Sequence, residues 1–404
     1  MIRVRHTTGT VKASIALPSS KSLSNRALVI RFLSGMEFPI HNLSSANDTV
    51  LLQQILEGPA PVADVQDAGT ALRFLTAALA ITPGEWMISG TTRLQERPIQ
   101  HLVEALRVLG AEIQYVGKEG FAPLRIQGKK LKGGTVALDA SVSSQFVSAL
   151  LMIAPNLEDG LKLKLTGKIA SHPYIQMTLQ LMRHFGVRNE WHQNEINIPS
   201  QSYKKEDYTV EPDWSAASYW FEIAALSGQA EILLEGLQTE SLQGDAVITS
   251  MMKPLGIETN RTREGILISK QKDFILPAFY AADFLASPDL APAILATLSA
   301  LRIKSRLTGV ENLNLKESRR RDILTNELLL NGVDIRSDDH SVTLHGGLLL
   351  ADSSFHVHGD HRMALCFAPL ALCTNGVSLD DEKVILKSYP EYWSHLEKAG
   401  FALG

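Results

Sequence analysis

The segment Leu102-Val103-Glu104-Ala105-Leu106-Arg107-Val108-Leu109-Gly110-Ala111-Glu112-Ile113-Gln114-Tyr115 reads as an amphipathic helix that ends in a leucine-rich turn, a glycine and a short apolar strand. Glycine just past a helix takes the left-handed conformation that residues with a Cβ resist. The same order recurs in Leu179–Phe185, Gly186 and Val187, and in Val247–Leu255, Gly256 and Ile257. It returns in Ile323–Leu330, Gly332 and Val333–Ile335, and in Tyr392–Ala399, Gly400 and Phe401. A spacing of roughly 70 residues is too long for a common solenoid and indicates repeated αβ units. Roughly five or six such units fit two domains of about three each.

Working outward, strands are expected at Thr135–Leu138, Leu161–Leu165, Glu231–Leu234, Ile266–Ser269 and Ser341–Leu344, where residues alternate or are β-branched. Helices are expected at Ala71–Ala80, Phe146–Ala154, Ile175–Phe185 and Ala216–Leu226. Interleaved helices and strands place the chain in the α/β or α+β class. The polar stretch Ser200–Pro212 marks a crossing between domains.

A chain of 404 residues supports two or three domains with separate cores. Its 45% hydrophobic and 20% charged content is that of a soluble globular protein. A net charge of -4 provides no global attraction to nucleic acid or to an anionic membrane. An anionic substrate therefore needs a local cluster of Lys and Arg. The N-terminal MIRVRHTTGT has no signal-peptide pattern, and runs such as Leu290–Leu301 are too short to span a bilayer. The two cysteines, Cys366 and Cys373, argue against a disulfide scaffold, fit a reducing cytoplasm and sit in an apolar run that reads as core.

Candidate chemistry gathers where loops turn into helices. In Leu17-Pro18-Ser19-Ser20-Lys21-Ser22-Leu23-Ser24-Asn25-Arg26, Ser22 and Arg26 share a helix face, and Lys21 stands at its start. Free backbone N–H groups, the helix dipole and two cations there suit a phosphate or carboxylate; an ordinary capped helix with solvated charges is the other reading. Asp67-Ala68-Gly69-Thr70, Glu96-Arg97-Pro98, Ser143-Ser144-Gln145 and Ser171-His172-Pro173-Tyr174 occupy similar junctions. Each alone is weak, because Ser and Thr are common caps; their recurrence is the stronger signal. The second half adds Asp289 in an apolar setting, Lys316-Glu317-Ser318-Arg319-Arg320, Asp360-His361-Arg362 and Lys387. Asp289 there is a general base with a raised pKa or simply a helix cap. His356 and His358 alternate as on one strand face, and with His361 they raise the question of a metal; no matching ligand pair appears elsewhere, so none is expected.

Taken in order, PSSKSLSNRAL, DAGTALRFL, LQERPIQHLVEAL, SSQFVSALLMIAP, SHPYIQMTLQLM, VEPDWSAASYW, the Pro288-Asp289 segment, KESRR, GDHRMALCFAPLAL and KSYPEYWSHL resemble the 5-enolpyruvylshikimate-3-phosphate synthases over nearly the whole chain. The resemblance implies a two-domain inside-out α/β barrel with three βαβαββ-type units per domain and a ligand cleft between the domains. Residues 1–20 and 213–404 would form a discontinuous domain, with 21–212 inserted. The implied reaction joins phosphoenolpyruvate to shikimate 3-phosphate by addition and elimination, releasing phosphate, in aromatic amino acid biosynthesis. It implies a cytoplasmic monomer acting on small molecules, with no metal or organic cofactor, no nucleic acid and no membrane.

Carried over by motif, Lys21, Ser22, Arg26, Ser143, Ser144, Gln145, Ser171, Tyr174, Asp289, Asn312 and Lys316 would hold shikimate 3-phosphate. Lys21, Gly69, Arg97, Gln145, Arg320, Arg362 and Lys387 would surround phosphoenolpyruvate. Asp289 and Glu317 would be the acid–base pair, with Lys21, His361 and Lys387 assisting phosphate departure. Arg73 and Asp213 would be structural supports. Three residues depart from the family's usual pattern: Ser19 replaces Gly, Asp67 replaces Asn, and Arg319 replaces Asp or Asn. They bear on substrate affinity and inhibitor sensitivity more than on the reaction. A related enolpyruvyl transferase acting on UDP-N-acetylglucosamine is the nearest alternative. It carries a Lys-Asn signature and usually a reactive loop cysteine or aspartate, whereas here Lys21 is followed by Ser22 and no cysteine precedes Cys366. An inactive metabolite-binding homologue is the other, against which the intact Lys21, Arg97, Asp289, Glu317, Arg320, Arg362 and Lys387 argue.

Overall fold

The structure is a computed structural model that describes residues 1–58 and 60–404. The chain divides into two compact units, Met1–Ser20 with Glu211–Gly404, and Lys21–Val210. In the discontinuous unit, Gln229–Glu235 pairs parallel with Thr10–Ala16 and antiparallel with Gly265–Lys270, which carries Ile257–Arg261 on its other edge. Two further sheets repeat that order: Phe279–Asp283, Lys304–Thr308, Ser341–Gly347, Val333–Ser337, and Asp352–Phe355, Gly376–Leu379, Ile2–Arg5, Ala402–Leu403. In each, a parallel pair is followed by two antiparallel strands.

The unit Lys21–Val210 holds two sheets of the same order. One is Val62–Asp64, Gly84–Ser89, Leu124–Gly128, Glu112–Tyr115; the other is Gly134–Asp139, Leu161–Thr166, Glu195–Ile198, Glu190–His192. Its third repeat is smaller than expected, a parallel pair of Ile40–His41 with Tyr208–Thr209. The helix Asn47–Glu57 is followed almost directly by Val62–Asp64, the first strand of the next sheet, which leaves no length of chain for the two antiparallel strands that follow the second helix elsewhere.

The repeated glycines serve one purpose. Gly110, Gly186, Gly256, Gly332 and Gly400 all have φ between +80° and +97°, and each turns the chain from a helix toward the edge strand of its sheet. At Gly332 a Cβ would also lie 2.3 Å from the Leu348 carbonyl oxygen. The recurrent helix–glycine–strand motif is thus the device that returns the chain across each four-stranded sheet.

The two chain passages at the unit boundary lie side by side. Asp213 N–H donates to the Pro18 carbonyl, and Ser20 N–H donates to the Glu211 carbonyl. Asp213 then caps the helix Trp214–Leu226, its Oδ1 accepting from Ser215 and Ala216 N–H. This helix is buried over nearly its whole length, which explains its apolar character on every face. Cys366 is buried as the apolar run suggests, but Cys373 is exposed, because the short helix Ala368–Leu372 ends just before it. No helix among the described residues is long and apolar enough to cross a membrane.

One residue breaks the core pattern. Glu222 in the helix Trp214–Leu226 is 0% exposed, and neither carboxyl oxygen has a hydrogen-bond partner. Burial pushes its pKa well above the ordinary carboxylate value. An acid whose folded pKa is raised costs nothing below its unfolded pKa, near 4.3. Above that pH the unfolded chain releases a proton that the folded chain keeps, so stability falls as pH rises toward the folded pKa. The slope approaches about 1.4 kcal/mol per pH unit. Thermal melts of Glu222→Gln and the parent protein should therefore diverge in favour of the variant between about pH 5 and 8. A constant difference across that range would refute the buried acid.

Candidate active site

In the unit Lys21–Val210, the helix Lys21–Ser34 begins at the lysine of the serine-rich segment. Lys21 Nζ donates to Asp48 Oδ2 at 3.0 Å, from the neighbouring helix Asn47–Glu57. Arg26, 2% exposed, donates to the Ser22 carbonyl (2.9 Å), Thr178 Oγ1 (2.7 Å) and Ser148 Oγ (3.2 Å), and packs over Phe74. Each of these partners is neutral, and burial pulls the guanidinium pKa down to about 10. A buried cation held by neutral dipoles favours an added anion.

These contacts bring three helices together. Ser144 and Ser148 lie on Ser144–Ile153, and Tyr174 and Thr178 on His172–His184. Ser143 caps the former, its Oγ accepting from Gln145 N–H. Ser171 precedes the latter in a left-handed conformation, φ +53°. Gln145 Nε2 donates to Thr70 Oγ1 at 3.0 Å, tying in the helix Gly69–Ile81. Gly69 is constrained by its neighbours: a Cβ there would sit 2.3 Å from Arg97 Nη1 and 2.5 Å from Arg73 Nη1. Arg73 itself donates to the Gly69 and Pro98 carbonyls and so fixes the turn. Sequence reading missed Asp48, Ser148 and Thr178. The last two were readable as residues four beyond Ser144 and Tyr174 on the same helix faces.

A cavity of about 330 Å³ lies along the opposite face of His172–His184, lined by His172, Gln176, Arg183 and Trp191 among others. None of the residues implied for substrate lines it.

The discontinuous unit gathers the remaining candidates. Asp289 lies in the short helix Pro288–Leu290, ahead of Ala291–Ala300. Its Oδ2 accepts from Arg362 Nη2 at 2.9 Å, and its Oδ1 accepts from Arg320 Nη1 at 3.3 Å and lies 3.6 Å from Lys316 Nζ. Arg362 Nη1 also donates to the Asp289 carbonyl (3.1 Å) and to the Tyr219 hydroxyl (3.4 Å). Burial disfavours the Asp289 carboxylate, but Arg362, Lys316 and Arg320 outweigh it and hold the pKa well below the usual range. That outcome contradicts a raised pKa for Asp289; the apolar sequence around it hides three cations supplied from elsewhere.

Arg320 begins the helix Arg320–Leu330 and is 1% exposed. It donates from Nε and Nη2 to the two oxygens of Asp360, at 2.8 and 3.1 Å, and from Nη2 to Glu317 Oε2 at 2.5 Å. Asp360, 0% exposed, also accepts from the Ser318 hydroxyl and from Arg362 N–H as the cap of His361–Phe367. Burial opposes the Arg320 charge, yet Asp360 and Glu317 raise its pKa above the ordinary value. His361 is buried with Nδ1 3.7 Å from Asp360, and Lys387 is buried at the end of Lys383–Lys387. Asn312 lies half-buried in the turn Glu311–Leu315 that leads to Lys316. Asp245, buried and bonded by the Ser215 hydroxyl, has its pKa raised to about 6 by burial and then by the Asp289 charge.

A further sequence expectation changes. His356 and His358 do not share a strand face, because Asp352–Phe355 ends before them and His358 has φ +51°. Their rings instead meet Asp380 and Glu327, each at 3.0 Å. Among the described residues no group of three or more such side chains is placed to hold a metal. Of the three departures, Arg319 points outward and pairs with Asp322, Asp67 is exposed, and Ser19 is buried in an isolated bridge with Pro212.

The family model described as EPSP synthase (3-phosphoshikimate 1-carboxyvinyltransferase) matches residues 51–396. The 3-phosphoshikimate 1-carboxyvinyltransferase of Bacteroides fragilis strain YCH46 is 45% identical over 398 residues, covering 97% of this chain and 96% of that one. The protein of the same name from Sulfurovum sp. strain NBC37-1 is 33% identical, covering 96% of both. The structure of EPSP synthase from Acinetobacter baumannii superposes with a TM-score of 0.77 at 20% identity, covering all of both chains, and so shares the fold.

Proposed function

The chain belongs to the EPSP synthase family, and from that premise we propose that it transfers the enolpyruvyl group of phosphoenolpyruvate to the 5-hydroxyl of shikimate 3-phosphate, releasing phosphate. The observation that carries this reading is the cluster of Arg320, Arg362 and Lys316 around Asp289, with Glu317 on the same guanidinium. Joining two polyanions requires fixed cations, and a preorganised positive field stabilises the charge that moves during reaction.

Shikimate 3-phosphate is held by Lys21, Ser22, Arg26, Ser143, Ser144, Gln145, Ser171 and Tyr174, with Asp289, Asn312 and Lys316 at its hydroxyls. The buried, neutral-partnered Arg26 supports that assignment. Phosphoenolpyruvate is held by Lys21, Gly69, Arg97, Gln145, Arg320, Arg362 and Lys387. Asp289 takes the proton of the 5-hydroxyl as its oxygen bonds to C2, while protonated Glu317 delivers a proton to C3. Glu317 then recovers a proton from the new methyl group, the C2–O bond to phosphate breaks, and phosphate leaves with that electron pair. Lys21, His361 and Lys387 stabilise the departing phosphate, which receives the proton held on Asp289. Both residue sets serve one reaction in one cytoplasmic monomer, within aromatic amino acid biosynthesis.

Phosphate release from phosphoenolpyruvate tests the reading. It should require shikimate 3-phosphate and be unaffected by UDP-N-acetylglucosamine. Release without an acceptor, or only with the UDP-sugar, overturns it.

A further inference from the structure

The cation cluster is already neutralised by the protein, and its carboxylates fall into two kinds. Lys316, Arg320 and Arg362 face Asp289, Glu317 and Asp360. Asp360 is fully buried and engaged four ways, by two donors of Arg320, the Ser318 hydroxyl and Arg362 N–H. It anchors one edge of the Arg320 guanidinium. Asp289 and Glu317 occupy the rest of that group, and Asp289 also occupies Arg362 Nη2. They are more exposed than Asp360, with side chains at 16% and 18%.

We propose that the anionic substrate activates its own base: the phosphoenolpyruvate carboxylate takes the outer edges of Arg320 and Arg362 from Asp289 and Glu317, leaving Asp360 in place. The inference rests on the reading of Asp289 as the base. A carboxylate held by three cations, as Asp289 is by Arg362, Lys316 and Arg320, accepts protons poorly. Exchange takes Arg320 Nη1 and Arg362 Nη2 from Asp289 and leaves its carboxylate beside an added negative charge. Both changes favour proton uptake, at the moment an acceptor hydroxyl needs to lose one. The arrangement also keeps the base silent until its co-substrate has arrived.

The exchange has an unusual signature. Asp289 competes with the substrate for the same guanidinium edges, so removing its charge should tighten substrate binding while abolishing turnover. The affinity of phosphoenolpyruvate is measured calorimetrically in the presence of a shikimate 3-phosphate analogue lacking the 5-hydroxyl, so that neither protein reacts. Asp289→Asn should bind about tenfold more tightly than the parent, and Glu317→Gln should shift in the same direction by less. Unchanged or weaker binding in both variants overturns the exchange. If Asp289→Asn does not fold, the direction for Glu317→Gln decides. Turnover of Asp289→Asn with authentic acceptor is a separate readout: near-normal turnover removes Asp289 as the base, whatever the affinity does.

Discussion

Arg320→Met is expected to destabilise the discontinuous unit by about 3–5 kcal/mol, the range for removing one partner of a buried ion pair. The reason is Asp360, which is fully buried and receives two of its hydrogen bonds from Arg320. Methionine fills much of the volume but leaves the carboxylate without its charged partner. The double variant Arg320→Met with Asp360→Leu should recover part of the loss, since replacing both charges by apolar groups is often nearly neutral. Recovery cannot be complete, because Asp360 also caps His361–Phe367, and losing a cap costs about 1 kcal/mol. Denaturant unfolding of the two singles and the double closes the cycle. A loss below about 1 kcal/mol for Arg320→Met would mean that the pair is not buried as described.

Glu317→Gln should lower turnover by about 10²–10⁴-fold while tightening phosphoenolpyruvate binding modestly. Glutamine retains an oxygen to accept from Arg320 Nη2, so the guanidinium keeps its place and only the proton shuttle is lost. In the proposed addition, C3 of phosphoenolpyruvate becomes a methyl group before elimination. Reaction in deuterium oxide therefore places deuterium at C3, and that incorporation should fall in parallel with turnover. Steady-state rates and mass spectrometry of the product measure both. Turnover within about threefold of the parent would assign the C3 proton to another group.

The sequence carried the repeat because helix periodicity and a left-handed glycine are local properties. Gly110, Gly186, Gly256, Gly332 and Gly400 needed no knowledge of the fold to be recognised. They did not reveal that the third repeat of Lys21–Val210 shrinks to two short strands, because the chain passes from Asn47–Glu57 almost directly to Val62–Asp64 of the next sheet. The order of motifs likewise led to the family, and motif positions led to the site candidates. Thr178 and Ser148 were within reach of the same reasoning, through i, i+4 spacing from residues already singled out.

What the chain could not disclose by itself is charge pairing across long sequence separations. Asp289 looks like an acid in an apolar setting until folding brings Arg320 and Arg362 to its two oxygens. Nothing beside Glu222 in the chain says that packing covers its carboxyl without a hydrogen-bond partner. Local sequence determines which backbone a segment adopts, because φ/ψ preference and apolar period act within a few residues. Protonation and partner choice depend on what burial removes and which charges arrive, and tertiary structure alone decided those.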